Sequence, residues 1–182
     1  MRLGTWDYSW AGWYFVTICT HNKAWLFGRI REGRIVQSKM GRIVQEEWLR
    51  TPNVRANVEL DEYVIMPNHV HGIIILNDQS VGATRRVAPT ENSEIVSTRR
   101  VAGTRIGGTL ISGSLGAIIG QFKSVSVKRI NADRETPGGV IWQRGYYDHI
   151  IRNDADLYRI REYISNNPLQ WSIDEEHRGT RT

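Results

Sequence analysis

The chain of 182 residues has the length of one globular domain and is long enough to bury a hydrophobic core that needs no disulfide bonds or bound metal ions for stability. Charged residues make up 24% and hydrophobic residues 40% of the chain, which argues against wholesale disorder. No run approaches the ~20 apolar residues of a membrane span. The single cysteine, Cys19, excludes an internal disulfide and a cysteine-rich metal site. Since residues 1–10 lack the pattern of a signal peptide, we expect a cytoplasmic protein.

The net charge of +5 is concentrated in one part of the chain. Segment 77–134 holds nine basic and four acidic residues, so its own net charge equals that of the whole chain. A basic segment favours a polyanionic partner, although a charge of this size is a weak signal on its own. The seven tryptophans are either core residues or surfaces on which unpaired bases stack, and core packing is the more common use.

Hydrophobic periodicity predicts the order strand, helix, strand, strand, helix, strand, helix. The predicted strands are 13–20, 58–66, 69–76 and 146–152, and the predicted helices are 35–49, 114–131 and 153–166. A turn at 31–34 precedes the first helix, and Thr51-Pro52-Asn53 ends it. Ser114 and Asn153 are expected N-caps, and Pro168 is expected to end the last helix.

Without its last helix, this order is the split βαβ pattern of ferredoxin-like folds. We therefore predict an α+β fold with an antiparallel sheet, helices on one face and an additional C-terminal helix. Segment 77–113 is polar and glycine-rich, and we expect a long mobile loop whose basic residues either contact a polyanionic partner or keep the loop soluble. A single domain at 1–171 would then be followed by a frayed tail at 172–182.

His69 and His71 lie at the start of a predicted strand. Residues two apart on a strand point to the same face, so both imidazoles can reach one metal ion. A His-x-His pair alone is weak evidence, since both can also be ordinary surface or core histidines. Two imidazoles do not fill a coordination shell, so a metal would need a third ligand from elsewhere.

The last predicted helix places Tyr163 and Asn167 one above the other, on the flank of its buried stripe. Spacing alone favours a simpler interpretation, in which the tyrosine is half-buried with a solvated hydroxyl. Asn167 would then serve as a helix cap.

Four stretches of the sequence carry a resemblance to a known family. The stretch Tyr63-Val-Ile-Met-Pro-Asn-His-Val-His-Gly-Ile-Ile-Ile75 resembles the HUH segment of single-tyrosine transposases, which act on single-stranded DNA. Two later stretches are similar to the branch called REP-associated tyrosine transposases. They are Trp142-Gln-Arg-Gly-Tyr-Tyr-Asp-His-Ile-Ile-Arg152 and Tyr163-Ile-Ser-Asn-Asn-Pro168. The opening Tyr14-Phe-Val-Thr-Ile-Cys-Thr20 also resembles that branch. The resemblance spans roughly residues 13–171.

The resemblance implies a function and a site. By position, His69 and His71 would be metal ligands, Tyr163 the nucleophile and Asn167 the third ligand, where insertion-sequence members usually have glutamine. The implied activity is metal-dependent cleavage and strand transfer of single-stranded, hairpin-forming repeat DNA through a 5′-phosphotyrosine, with Mg²⁺ or Mn²⁺ as cofactor. A monomer is expected, with a dimer as the alternative. The long segment 77–113 departs from the family pattern.

Further candidates and rival functions remain open. Candidate DNA contacts are Lys123, Lys128 and Arg129, expected to face outward from the second helix, and Arg85, Arg86, Arg99 and Arg100 of the long loop. His149 is a candidate second-shell residue, although a structural role is the more common one. Rival functions are a domesticated DNA-binding module with the same fold and little cleavage, and a metal-dependent nuclease that uses water.

Overall fold

The structure, a computed structural model, describes residues 11–78, 105–106, 109–110 and 113–179, with the backbone alone at 105–106, 109–110 and 172–179. The strands are β1 Gly12–Cys19, β2 Gly28–Arg31, β3 Arg34–Gln37, β4 Val58–Met66, β5 His69–Leu76, β6 Arg105–Ile106, β7 Thr109–Leu110 and β8 Tyr147–Ile151. The α-helices are α1 Lys39–Val54, α2 Leu115–Asp133 and α3 Asp154–Gly179. None of these helices combines the length and apolar character that crossing a membrane requires.

The central sheet has four antiparallel strands in the order β4-β5-β1-β8. Strand β5 lies between β1 and β4, which is the arrangement of the split βαβ unit. The register pairs Thr17 with His71 and Cys19 with His69. The predicted α+β ferredoxin-like fold is therefore confirmed, together with the additional C-terminal helix.

Alternation along β1 divides the core between the two faces of the sheet. Tyr14, Val16 and Ile18 pack with α1 and α2 in one cluster, whereas Phe15 packs with α3 in the other. Gly72 permits close packing on the first face, because a Cβ there would lie 2.4 Å from Cζ2 of Trp48. The helix that carries Tyr163 thus packs on the second face of the sheet, opposite to α1 and α2.

The structure corrects the start of the first helix. Residues 35–37, predicted as helical, belong to β3 and pair with β2 in a hairpin. Its two-residue turn, Glu32-Gly33, has φ values of 50° and 69°, as the preferred two-residue hairpin turn requires. The helix begins one residue after Ser38, whose side chain accepts a hydrogen bond from the Gly41 amide at 3.1 Å.

The two predicted proline stops are also wrong. Helix α1 continues through Pro52 to Val54, and α3 continues through Pro168 to Gly179 instead of ending near Asn166. A proline removes one backbone donor but does not forbid helical dihedral angles, so packing can offset its cost. Beyond Pro168, Leu169 approaches Gly33 of the hairpin turn, and Trp171 contacts Trp25.

The predicted caps are confirmed where the structure describes them. The Ser114 hydroxyl accepts from the Ala117 amide at 3.3 Å, and Asn153 Oδ1 accepts from the Asp156 amide at 2.8 Å. Within the predicted long loop, the β6–β7 ladder is an element that the sequence did not indicate. The arginines at positions 85, 86, 99 and 100 lie outside the described residues.

Candidate metal and tyrosine site

His69 and His71 lie side by side on β5 and face α3. Their ring centroids are 4.3 Å apart, with the ring planes at 71°. His71 is buried and stacks on Phe15 of the neighbouring strand, with centroids 5.4 Å apart. Strand periodicity therefore brings the two imidazoles together, as predicted.

Each histidine is oriented through its Nδ1 atom. Asn68 Oδ1 accepts a hydrogen bond from His69 Nδ1 at 2.7 Å, which places the proton on that nitrogen. Thr17 Oγ1 lies 2.9 Å from His71 Nδ1. When Nδ1 carries the proton, the lone pair of the ring is on Nε2, the arrangement found in metal-binding histidines. The sequence did not identify Thr17 and Asn68 as supporting residues.

Burial keeps both imidazoles neutral at physiological pH. Desolvation lowers the pKa of His69 to about 4, with a polar contact from Asn167 opposing the shift and the Lys23 charge adding to it. Desolvation also lowers the pKa of His71 well below its usual value, and the neighbouring His69 adds to that shift. A neutral imidazole is the form that coordinates a metal, so binding would require no proton release from either ring.

Tyr163 of α3 reaches the histidine pair. Its hydroxyl lies 3.4 Å from His71 Nε2, and its ring centroid is 5.2 Å from that of His71. The side chain is 50% exposed, so one side of the ring is open to a ligand. Partial burial raises the pKa of Tyr163, with the Asn167 side chain opposing that shift, so the phenol needs activation to become a nucleophile.

Asn167 completes the cluster from the next turn of α3. It is buried, and its side chain influences the pKa of both His69 and Tyr163. His69 Nε2 is buried without a hydrogen-bond partner of good geometry, which leaves a ligand atom available. Among the described residues no three His, Cys, Asp or Glu side chains gather as a metal site. A third ligand from this cluster would therefore have to be the amide oxygen of Asn167.

These donors fit a divalent cation. Two neutral imidazoles and an amide oxygen supply three ligand atoms and leave open positions for substrate or water. The two Nδ1 hydrogen bonds provide the outer-shell support that such sites use. His69, His71 and Asn167 could therefore hold a divalent metal next to the Tyr163 hydroxyl.

The helix that carries Tyr163 is fixed to the sheet and borders a groove. Arg161 forms a two-point ion pair with Asp61 of β4, with Nε 3.1 Å from Oδ1. The groove, of about 240 Å³, is lined by Arg159, Glu162, Tyr163, Asn166, Asn167 and Gln170. Ligands can therefore approach the tyrosine from the solvent side of α3.

His149 lies on the same face of the sheet as His71 but is held by another partner. It pairs with Phe15 in the register of β1 and β8, and its Nε2 lies 2.7 Å from Asp156 Oδ2. The contact joins β8 to the first turn of α3. His149 therefore has a structural partner in place, and no contact joins it to the candidate metal ligands among the described residues.

The basic residues of α2 differ in their availability. Lys128 is exposed, as predicted. Lys123 instead folds back and donates to the carbonyl oxygens of Gln143, at 2.9 Å, and Gly145, and desolvation lowers its pKa to about 8. Arg129 pairs with Glu46 and Glu47, each at 2.6 Å. The prediction that all three face outward is therefore wrong for Lys123, and the charge of Arg129 is already balanced.

Two of three comparisons with known proteins find a similar protein. No family model matches the chain. An uncharacterised protein of Haemophilus influenzae is 34% identical over 175 residues, covering 96% of this chain and 90% of that protein. A solved structure of a REP-associated tyrosine transposase bound to a REP hairpin covers 93% of this chain and 74% of the transposase chain. Its TM-score is 0.56 at 16% sequence identity, which shows a shared fold.

The similarity to the Haemophilus influenzae protein extends over nearly the whole of both chains. The protein therefore belongs to the same family as that protein, and its fold is shared with the REP-associated tyrosine transposase.

Proposed function

We propose that this protein is a metal-dependent endonuclease and strand transferase for single-stranded DNA, with Tyr163 as its nucleophile. The observation that carries the proposal is the 3.4 Å approach of the Tyr163 hydroxyl to His71 Nε2, beside His69 and Asn167. Residues from two elements, β5 and α3, meet there. A tyrosine with a purely structural role would not require two neutral, oriented imidazoles next to its hydroxyl.

The proposed reaction exchanges one phosphodiester bond for another. The Tyr163 oxygen attacks the phosphorus and forms a P–O bond to the protein, while the bond from phosphorus to the 3′ oxygen breaks. The phenol loses its proton, and the leaving oxygen gains one to become a free 3′-OH. The 5′-phosphotyrosine conserves the bond energy, so a later 3′-OH can reverse the step and join strands.

Each residue of the site would have its own role in this reaction. His69, His71 and Asn167 would hold Mg²⁺ or Mn²⁺, whose charge would polarise the scissile phosphate and favour the phenolate. Two imidazoles favour Mn²⁺, since Mg²⁺ prefers oxygen ligands. The ion pair between Arg161 and Asp61 holds α3 on the sheet, so the Tyr163 oxygen is positioned before the substrate binds.

Hairpin DNA is the substrate that the comparisons favour. The transposase of the same fold was solved with a REP hairpin, and this chain carries a charge of +5. The exposed side of Tyr163 and the adjoining groove give an unpaired strand access to the site. Because the Tyr163 hydroxyl meets the histidines of its own chain, one chain contains a complete site, which supports a monomeric enzyme.

The experiment that tests this function is a covalent-adduct assay. The wild-type protein and Tyr163→Phe are incubated with labelled hairpin oligonucleotides carrying single-stranded flanks, with Mn²⁺ or with EDTA, and are resolved on denaturing gels. We expect a protein–DNA adduct only in the sample that contains the wild-type protein and Mn²⁺. Phenylalanine keeps the ring contacts with Phe15 and His71, so it removes the nucleophile with little effect on folding.

Each other outcome indicates a different function. Cleavage that survives Tyr163→Phe would indicate a nuclease that uses water. Hairpin binding without cleavage by the wild type would indicate a DNA-binding module. An adduct that forms equally in EDTA would contradict the metal requirement.

A further inference from the structure

We propose that Trp25, with Lys23, forms a binding subsite for one unpaired nucleotide of the substrate strand, next to His69. This subsite rests on the proposed function, because it takes the same single strand. It assigns base stacking to an exposed tryptophan outside the metal and tyrosine cluster. The ligand is a nucleotide base with its adjoining phosphate.

Trp25 is connected to the candidate metal site by one aromatic ring. The ring of Trp171 lies 5.7 Å from that of His69 and 5.9 Å from that of Trp25. Trp25 itself is 55% exposed. A tryptophan with more than half of its surface in water gains little from burial, but it gives a nucleotide a large flat surface close to the scissile phosphate.

The segment before Trp25 is held in one unusual conformation. Asn22 and Lys23 both have φ values of 53°, in the left-handed region that non-glycine residues rarely adopt. The Thr20 hydroxyl donates to the Ala24 carbonyl at 2.8 Å, and the Asn68 amide donates to the Lys23 carbonyl at 3.3 Å. Asn68 also orients His69, so one side chain joins this segment to the site. Such strain persists where the surrounding contacts determine it, often at ligand sites.

Lys23 supplies a positive charge at the same place. Its side chain is exposed, and it has no ion-pair partner within the described part of the chain. It lies two residues before Trp25, and its backbone carbonyl accepts a hydrogen bond from the Asn68 side chain that also orients His69. A base stacked on Trp25 would therefore have its phosphate within the field of a free cation, the combination that single-strand-binding surfaces use.

The test measures binding of 5′-fluorescein-labelled dT12 by fluorescence anisotropy in EDTA, so that cleavage does not contribute. We expect Trp25→Ala to weaken binding about 5- to 150-fold, the range that corresponds to the loss of one base-stacking residue. Trp25→Phe keeps an aromatic surface and should recover most of the affinity. Tyr158→Ala is the matched control, because Tyr158 is a 67% exposed aromatic of α3 with no role in the site.

A second measurement locates the contact directly. Oligothymidylate in which 5-iododeoxyuridine replaces one thymidine is irradiated with the wild-type protein, and the cross-linked peptide is identified by mass spectrometry. We expect the cross-link on Trp25. Cross-links confined to other residues, or an affinity for dT12 that Trp25→Ala leaves unchanged, would overturn the subsite.

The two proposals can fail separately. A protein that forms the Tyr163 adduct but binds dT12 independently of Trp25 retains the proposed function and loses the subsite. A protein that binds dT12 through Trp25 but forms no adduct retains the subsite and loses the transferase. Failure of the wild type to bind dT12 at all would overturn the subsite.

Discussion

Thr17 acts on the candidate site through a single hydroxyl. Its Oγ1 lies 2.9 Å from His71 Nδ1, on the strand that pairs with the histidine strand. Outer-shell partners of this kind fix the ring orientation of a ligating histidine, and their loss usually lowers metal affinity by about 10- to 100-fold.

We therefore expect Thr17→Val, which keeps the shape of the side chain, to weaken Mn²⁺ binding by about that factor. Thr17→Ser should bind Mn²⁺ nearly as wild type does. Free Mn²⁺ measured by electron paramagnetic resonance during a titration gives the affinity, and circular dichroism checks that both variants fold. A folded valine variant with wild-type affinity would show that His71 needs no such support.

The sequence could identify the ligands of this site but not their supports. His69 and His71 share a face by the two-residue period of a strand, which is a local property. Thr17 is 54 residues from His71 in the chain, so their contact depends on the register between β1 and β5, which no local pattern contains. Asn68 is adjacent to His69, but an asparagine between two predicted strands indicates only a turn.

At the scale of elements, Asp156 joins the first turn of α3 to β8. Its carboxylate contacts His149, at 2.7 Å, and Arg159. Burial alone would raise the pKa of Asp156, but hydrogen bonds from Arg159 and His149 outweigh it and lower the pKa below 3.8. In the unfolded chain these partners are absent, so the folded state favours the ionised carboxylate.

This shift predicts a pH-dependent contribution to stability. A carboxyl group whose folded pKa is lowered stabilises the fold above its unfolded pKa of about 3.9 and loses that effect as pH falls through the folded value. We expect Asp156→Asn to lower the melting temperature at pH 7, and the difference from wild type to shrink towards zero as the pH falls through the lowered folded pKa of Asp156. Thermal unfolding of both proteins, followed by circular dichroism from pH 2 to 7, tests this expectation. A difference in melting temperature that stays constant with pH would contradict the ionic role of Asp156.

The types of the seven main elements were predictable from the sequence, whereas the β2–β3 hairpin, the β6–β7 ladder and several boundaries were not. Capping by Ser114 and Asn153 follows from local chemistry, and the structure contains both caps. Pro168 was expected to end α3 because a proline disfavours the helical conformation of the residue before it. That local rule is overridden by packing of the next turn against Gly33 and Trp25, which are far away in the chain.

Across the whole molecule, the positive charge is divided between balanced and free residues. Arg129 and Arg161, for example, are paired with carboxylates and add little to the field around the protein. Segment 77–134 carries the net charge of +5, and within it four arginines stand as two pairs, Arg85-Arg86 and Arg99-Arg100. Contacts between basic residues and phosphates release counterions, so each one steepens the salt dependence of DNA binding.

We expect replacement of these four arginines by glutamine to weaken hairpin binding at low salt. The slope of log affinity against log salt should fall by up to about 3, since each phosphate contact contributes roughly 0.7 to 0.9. Adduct formation at saturating DNA should be unchanged, because Tyr163 and its neighbours come from β5 and α3. Anisotropy titrations of a labelled hairpin at several salt concentrations give the slope.

A control variant with the same change in net charge distinguishes the effect of where the arginines lie from the effect of net charge alone. It carries glutamine at four basic positions of α1 and the loops after α1 and α2, namely Arg42, Arg50, Arg55 and Arg134. Helices α1 and α2 cover the face of the sheet opposite to α3, so the control should leave the slope near that of wild type. Equal slopes for the two variants would mean that the charge acts only through the general field of the protein, and that the arginine pairs do not contact the phosphates.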